Sequence, residues 1–132
     1  MKRLLALGLG SLVLLAGVFG SRIVRRHVVE GRSMLQAYAP GQRLVVESLT
    51  YRLRPPRVAE AVVVRQPRTN GRLDLKRIAA GPGSEVTVHG ATDFLGKDEW
   101  YVLGDNLDES TDSRDLGPVK TSNVVGRVWF RY

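Results

Sequence analysis

The sequence predicts a mainly β fold, a small antiparallel, barrel-like sheet domain behind one N-terminal membrane-spanning helix. Three observations carry that expectation. Residues 4 to 20 are apolar and uncharged, several short β-branched runs punctuated by Gly, Pro and Asn follow them, and no stretch beyond residue 27 repeats its apolar residues at helical spacing. With 132 residues and no internal repeat or low-complexity tract, the chain has room for one domain after the apolar segment.

Residues 1 to 27 form the first unit, a transmembrane anchor whose flanks are Lys2 and Arg3 on one side and Arg22, Arg25 and Arg26 on the other. The apolar run is at the short end of what crosses a bilayer. A cleaved secretory signal is the rival reading, with Val18 and Gly20 as small residues before a cut. Orientation is contested by the flanks. Lys2 and Arg3 argue for a cytoplasmic N-terminus, and the three later arginines pull the opposite way.

Residues 28 to 132 form the second unit. Val28 and Val29 lead into Gly31-Arg32-Ser33-Met34, and Ala39-Pro40-Gly41-Gln42 reads as a turn. Leu44 to Ser48 and Ala61 to Arg65 are expected strands, the second a continuous valine run suited to burial on both faces. Pro55 and Pro56 break the chain between them. Asn70-Gly71 is a hairpin signal that would pair Val62 to Gln66 with Leu73 to Ile78. Gly81-Pro82-Gly83 turns the chain into Glu85 to Val88, which His89-Gly90 ends, and Trp100 to Leu103 and Val124 to Phe130 complete the strands.

The charge of +7 is unevenly spread. Residues 1 to 27 hold five of the 20 Lys and Arg and none of the 13 acids, so the domain itself is close to neutral. That is no nucleic-acid footprint, and membrane lipid beside the anchor is the expected partner of the arginine cluster. The absence of cysteine excludes disulfides, Cys-zinc sites and a thiol nucleophile. Two isolated histidines, His27 and His89, offer poor metal ligation, so no metal and no cofactor are expected.

The chemistry centres on Ser33. A serine hydroxyl needs a base to take its proton, and neither histidine sits in a recognisable motif. Of the four lysines, Lys2, Lys76, Lys97 and Lys120, only Lys76 lies within an apolar-flanked run, Leu73-Asp74-Leu75-Lys76-Arg77-Ile78. Burial there would lower its pKa by penalising the ammonium, as a base requires. Gly31 with the Ser33 N–H suggests donors for an oxyanion, since glycine lets backbone approach the reacting carbonyl.

Three ordered blocks resemble the type I signal peptidases, membrane-bound Ser/Lys proteases whose patterns read G-x-S-M-x-P-T-L, K-R-x-x-G-x-P-G and G-D-N-x-x-x-S-x-D-S-R. Here they are Gly31 to Tyr38, Lys76 to Gly83, and Gly104 to Arg114. The resemblance implies a serine endopeptidase with Ser33 as nucleophile and Lys76 as base, acting on precursor proteins that carry signal or leader peptides. It implies that Ser110 aims Lys76, and that Met34, Arg77, Asp105, Asp112 and Arg114 support the site, with Arg77 pairing Asp105. It also implies a single-pass protein of the cell membrane with its catalytic domain on the extracytoplasmic face. The family's Pro-Thr is Gln36-Ala37 here, a change expected to loosen the nucleophile's turn. With about 20 residues from Gly83 to Gly104, the chain is a short member without the large inserted β domain. A self-cleaving Ser/Lys regulator and a non-catalytic anchored peptide-binding domain are the alternatives.

Overall fold

The computed structural model describes residues 23 to 132. Along the chain lie β1 (Val24–Val28), β2 (Arg43–Glu47), the single-turn helix α1 (Thr50–Leu53), β3 (Ala61–Arg65), β4 (Leu73–Ala80), β5 (Glu85–Val88), β6 (Ala91–Phe94) and β7 (Glu99–Leu103). A second single-turn helix α2 (Ser113–Leu116), β8 (Val119–Lys120) and β9 (Val124–Arg131) follow. Seven strands form one antiparallel sheet in the order β1-β2-β9-β3-β4-β7-β8, and β5 and β6 form a separate hairpin. Register shifts at Val45/Val46, Val63/Val64 and Ile78/Ala80 bend it into a half-barrel with β1 and β8 as its edges.

The valine strand is central for a physical reason. Val62 and Val64 pack with Ile78, Trp100, Val102, Val119 and Val124, while Val63 faces the other way onto Val29, Met34, Leu44, Val46 and Leu75. A strand with apolar side chains on both faces is stable only where both faces are covered. Trp100 keeps its indole N–H satisfied inside the first cluster by donating to Thr121 Oγ1 at 2.8 Å. The Asn70-Gly71 turn joins β3 to β4 as expected, with Arg65 opposite Leu73 and Ala61 opposite Arg77.

β1 runs across the expected boundary at residues 27 and 28, so Arg25 and Arg26 belong to a sheet edge. Among the described residues, no helix is long and apolar enough to cross a membrane. The anchor expected over residues 4 to 20 lies outside the described residues.

Candidate active site

Lys76 stands in the middle of β4, paired opposite Val62, and its side chain is 3% exposed. Burial pushes its ammonium below the ordinary lysine range. Asp74 and Asp112 pull it back up, and Arg72 and Arg114 push it further down. The Lys76 amine donates to Ser110 Oγ at 3.2 Å, and Ser110 in turn donates to Asp112 Oδ2 at 2.7 Å. Because the serine's own proton goes to the carboxylate, Ser110 can only accept from the lysine. One amine N–H is thereby fixed, and in the neutral amine the lone pair is free to point elsewhere.

Asp112 is the hub of this corner and is fully buried. Besides Ser110 it receives the Gly104 N–H at 3.0 Å on Oδ2, and Arg114 grips both oxygens with Nε at 2.9 Å and Nη2 at 3.0 Å. Burial raises the Asp112 carboxyl, and the donors from Arg114, Gly104 and Ser110 outweigh it, so the group lies below its usual range. The same residue caps α2, accepting from the Arg114 N–H while Asp115 reaches back to the Asp112 N–H. Arg114 also donates to Leu107 O at 2.8 Å, which fastens the loop between Gly104 and Asp112.

Ser33 lies on a tight turn between β1 and β2, held from beneath by Met34. Met34 is 1% exposed, packs into the second core cluster, and its sulfur accepts the Asp105 N–H at 3.4 Å. Arg77 grips Asp105 with two hydrogen bonds of 2.7 Å, as the sequence led us to expect. Two residues the sequence reading did not single out complete the join. Asn106 donates its backbone N–H to Ser33 O at 2.8 Å and its side-chain amide to Arg32 O at 3.1 Å. Gly104 leaves the space into which both loops press. A Cβ there would lie 2.2 Å from Ser110 Oγ and 2.6 Å from Ser33 O.

These contacts bring the Ser33 turn, Ser110 and Lys76 to one place. The Ser33 hydroxyl and its backbone N–H make no hydrogen bond to another described residue, and Gly31 adopts φ +69° at the start of the turn. The lysine's hydrogen bond is thus with Ser110, and no Ser33–Lys76 hydrogen bond is formed in this conformation. Such bonds commonly tighten only with substrate bound.

Hydrogen bonds close the turn at the place where the family pattern has its proline. Gln36 sits at φ +87°, a conformation closed to proline, whose ring holds φ near −65°. The turn is closed by Tyr38 N–H to Met34 O at 2.8 Å and Leu35 N–H to Arg32 O at 3.1 Å. What Gln36 adds is strain, since a non-glycine residue in this region costs about 1–2 kcal/mol. Gln36→Gly should therefore raise the unfolding free energy by about 1 kcal/mol, and Gln36→Pro should lower it, as read by denaturant midpoints. A Gln36→Gly variant less stable than the parent would contradict the strain.

The structure thus defines a curled antiparallel sheet that buries a lysine beside a serine-bearing turn. Comparison with known proteins identifies it further. The profile of the family described as signal peptidase, peptidase S26, matches residues 2–95 and 89–132, and the chain belongs to that family. It is 26% identical over 148 residues to thylakoidal processing peptidase 1, chloroplastic, of Arabidopsis thaliana, covering 87% of this chain and 44% of that protein. It is 34% identical over 113 residues to the mitochondrial ATP-independent inner membrane protease subunit 1a of the same plant, covering 78% and 67%. With the signal peptidase I of Bacillus caldolyticus the figures are 29% over 148 residues, 83% and 80%. The chain spans less than half the length of the thylakoidal peptidase.

Proposed function

We propose that this protein is a membrane-anchored serine endopeptidase of the signal peptidase type that removes N-terminal signal or leader peptides from exported precursors. The observation that carries the reading is the Lys76 amine, buried, pushed toward its neutral form and hydrogen-bonded to Ser110 beside the Ser33 turn. Ser33 Oγ attacks the scissile carbonyl while neutral Lys76 takes its proton. Lys76 then passes that proton to the leaving amine, and water, deprotonated by the same amine, releases the acyl-enzyme. The Ser33 N–H, uncommitted among described residues, stabilises the oxyanion together with backbone at Gly31. Ser110 aims the base without touching substrate. Met34, Arg77, Asp105, Asp112 and Arg114 hold the two loops in register.

The apolar run over residues 4 to 20 would anchor the chain as a single span beside anionic lipid, with the sheet domain that begins at β1 on the extracytoplasmic face where precursors emerge. What supports this placement is the uncharged run over residues 4 to 20. Carbonate-washed membranes from cells expressing the full chain should cleave an exported precursor at its signal-peptide junction, and Ser33→Ala membranes should not. Cleavage that survives Ser33→Ala would overturn the assignment of the nucleophile. Activity found only in the carbonate supernatant would overturn the anchor.

A further inference from the structure

The mechanism leaves the charge next to its base unexplained. Asp74 and Lys76 stand two residues apart on β4, so they project from the same face of the strand, opposite Val64 and Val62 of β3. A carboxylate so placed holds a lysine in its charged form, and Asp74 pulls the Lys76 amine upward more than Asp112 does. Asp74 is not left alone. Arg72 Nε donates to both of its oxygens at 3.1 Å, and Nη2 donates to Oδ2 at 2.9 Å. This fork fixes the carboxylate and sets a cation beside it.

The other charges facing this corner are accounted for. Asp112 and Arg114, in the loop leading into α2, are bound to one another, and Asp112 also carries Ser110 and the Gly104 N–H. On β1, burial keeps His27 below its ordinary range while Glu30 and Asp74 pull it up, so it adds little charge near neutrality. Arg72 with Asp74 is therefore the pair beside the base that the site's own bonding does not use.

We infer that Arg72 is a positioning residue which, by clamping the Asp74 carboxylate, screens that charge from the Lys76 amine and so sets where on the pH scale turnover begins. The inference rests on the reading of Lys76 as the base. Its test is the pH dependence of kcat/KM for the full-length, detergent-solubilised protein against a precursor peptide, in wild type, Arg72→Ala, Asp74→Asn and the double variant. Arg72 is half exposed, so its replacement leaves the core intact.

Arg72→Ala should move the rising limb to higher pH by about half a unit, which is roughly a threefold loss of kcat/KM at a fixed pH on that limb. Asp74→Asn should move it to lower pH, and in that background the Arg72→Ala shift should shrink to the direct effect of the guanidinium on the amine. Profiles that coincide with wild type would overturn the inference. So would single variants that shift the same way, an Arg72→Ala shift undiminished without Asp74, or a uniform drop with no movement along pH, which a merely structural pair would give. Turnover retained by Lys76→Met would remove the underlying reading. Coincident profiles with Lys76→Met inactive would remove this inference alone.

Discussion

Lys76→Met should abolish turnover and stabilise the fold. Removing a general base costs about 10²–10⁴-fold, and if Ser33 and Lys76 act as one unit, as proposed, little of the rate should remain. Stability moves the other way because the ammonium is the form that burial penalises. Methionine keeps the length of the chain without the charge, and Ser110 keeps its bond to Asp112. The gain has a defined pH signature. The folded-state pKa is lowered, so between that value and the unfolded pKa of about 10.4 the unfolded chain binds more protons, and wild-type stability rises with pH. Below this window the penalty is complete, and above it the penalty is gone. The advantage of Lys76→Met, measured as a Tm difference, should be largest at neutral and acid pH and should vanish near pH 11. A variant that is less stable than wild type at pH 6 would show that the amine is a net structural asset instead.

Gly104→Ala has the second largest expected effect. The added methyl would meet Ser110 Oγ at 2.2 Å, Ser110 Cβ at 2.5 Å and Ser33 O at 2.6 Å, and the last of these is backbone that cannot rotate away. One of the two loops must move. Overpacking of this kind costs about 1–3 kcal/mol of stability. A displacement of about 1 Å at a reacting group costs on the order of 10²-fold in rate. The Gly104 backbone is not in the left-handed region, so the loss is steric and not conformational. Ser110→Gly in the Gly104→Ala background should then recover part of the lost stability without restoring full activity. A Gly104→Ala enzyme with ordinary kcat would mean that the packing of Ser33 against Ser110 does not matter to the chemistry.

Much of this was legible in the sequence, and the exceptions share a cause. The valine run of β3 and the Asn70-Gly71 turn read correctly because local pattern and burial agree there. Lys76 was found because apolar neighbours on β4 signal desolvation, and Arg77 with Asp105 because their blocks match a known pattern. β1 was missed because its valines, Val24 and Val28, are exposed on a sheet edge, so the run Val-Arg-Arg-His-Val carries no buried alternation. β6 is exposed along its whole length and could be found only as the second arm of the His89-Gly90 turn. Asn106 and the space over Gly104 depend on contacts between segments some 70 residues apart in sequence, Ser33 with Gly104 among them, which no local signal encodes. At Gln36 the family pattern suggested a missing proline, and only the backbone angle reveals that the turn takes another path.

The central claim is that a neutral Lys76 takes the proton of Ser33, and the pH dependence of kcat/KM tests it most directly. On that proposal the amine acts only when unprotonated, and burial lowers its pKa, so kcat/KM should rise with pH through a single ionisation. Its midpoint should lie above histidine's usual value of about 6.5 and below the about 10.4 of free lysine. The limb should be unchanged by His27→Ala, His89→Ala or a chelator. A profile already flat by pH 7, or activity that is lost on His89→Ala or restored by zinc after chelation, would contradict the account.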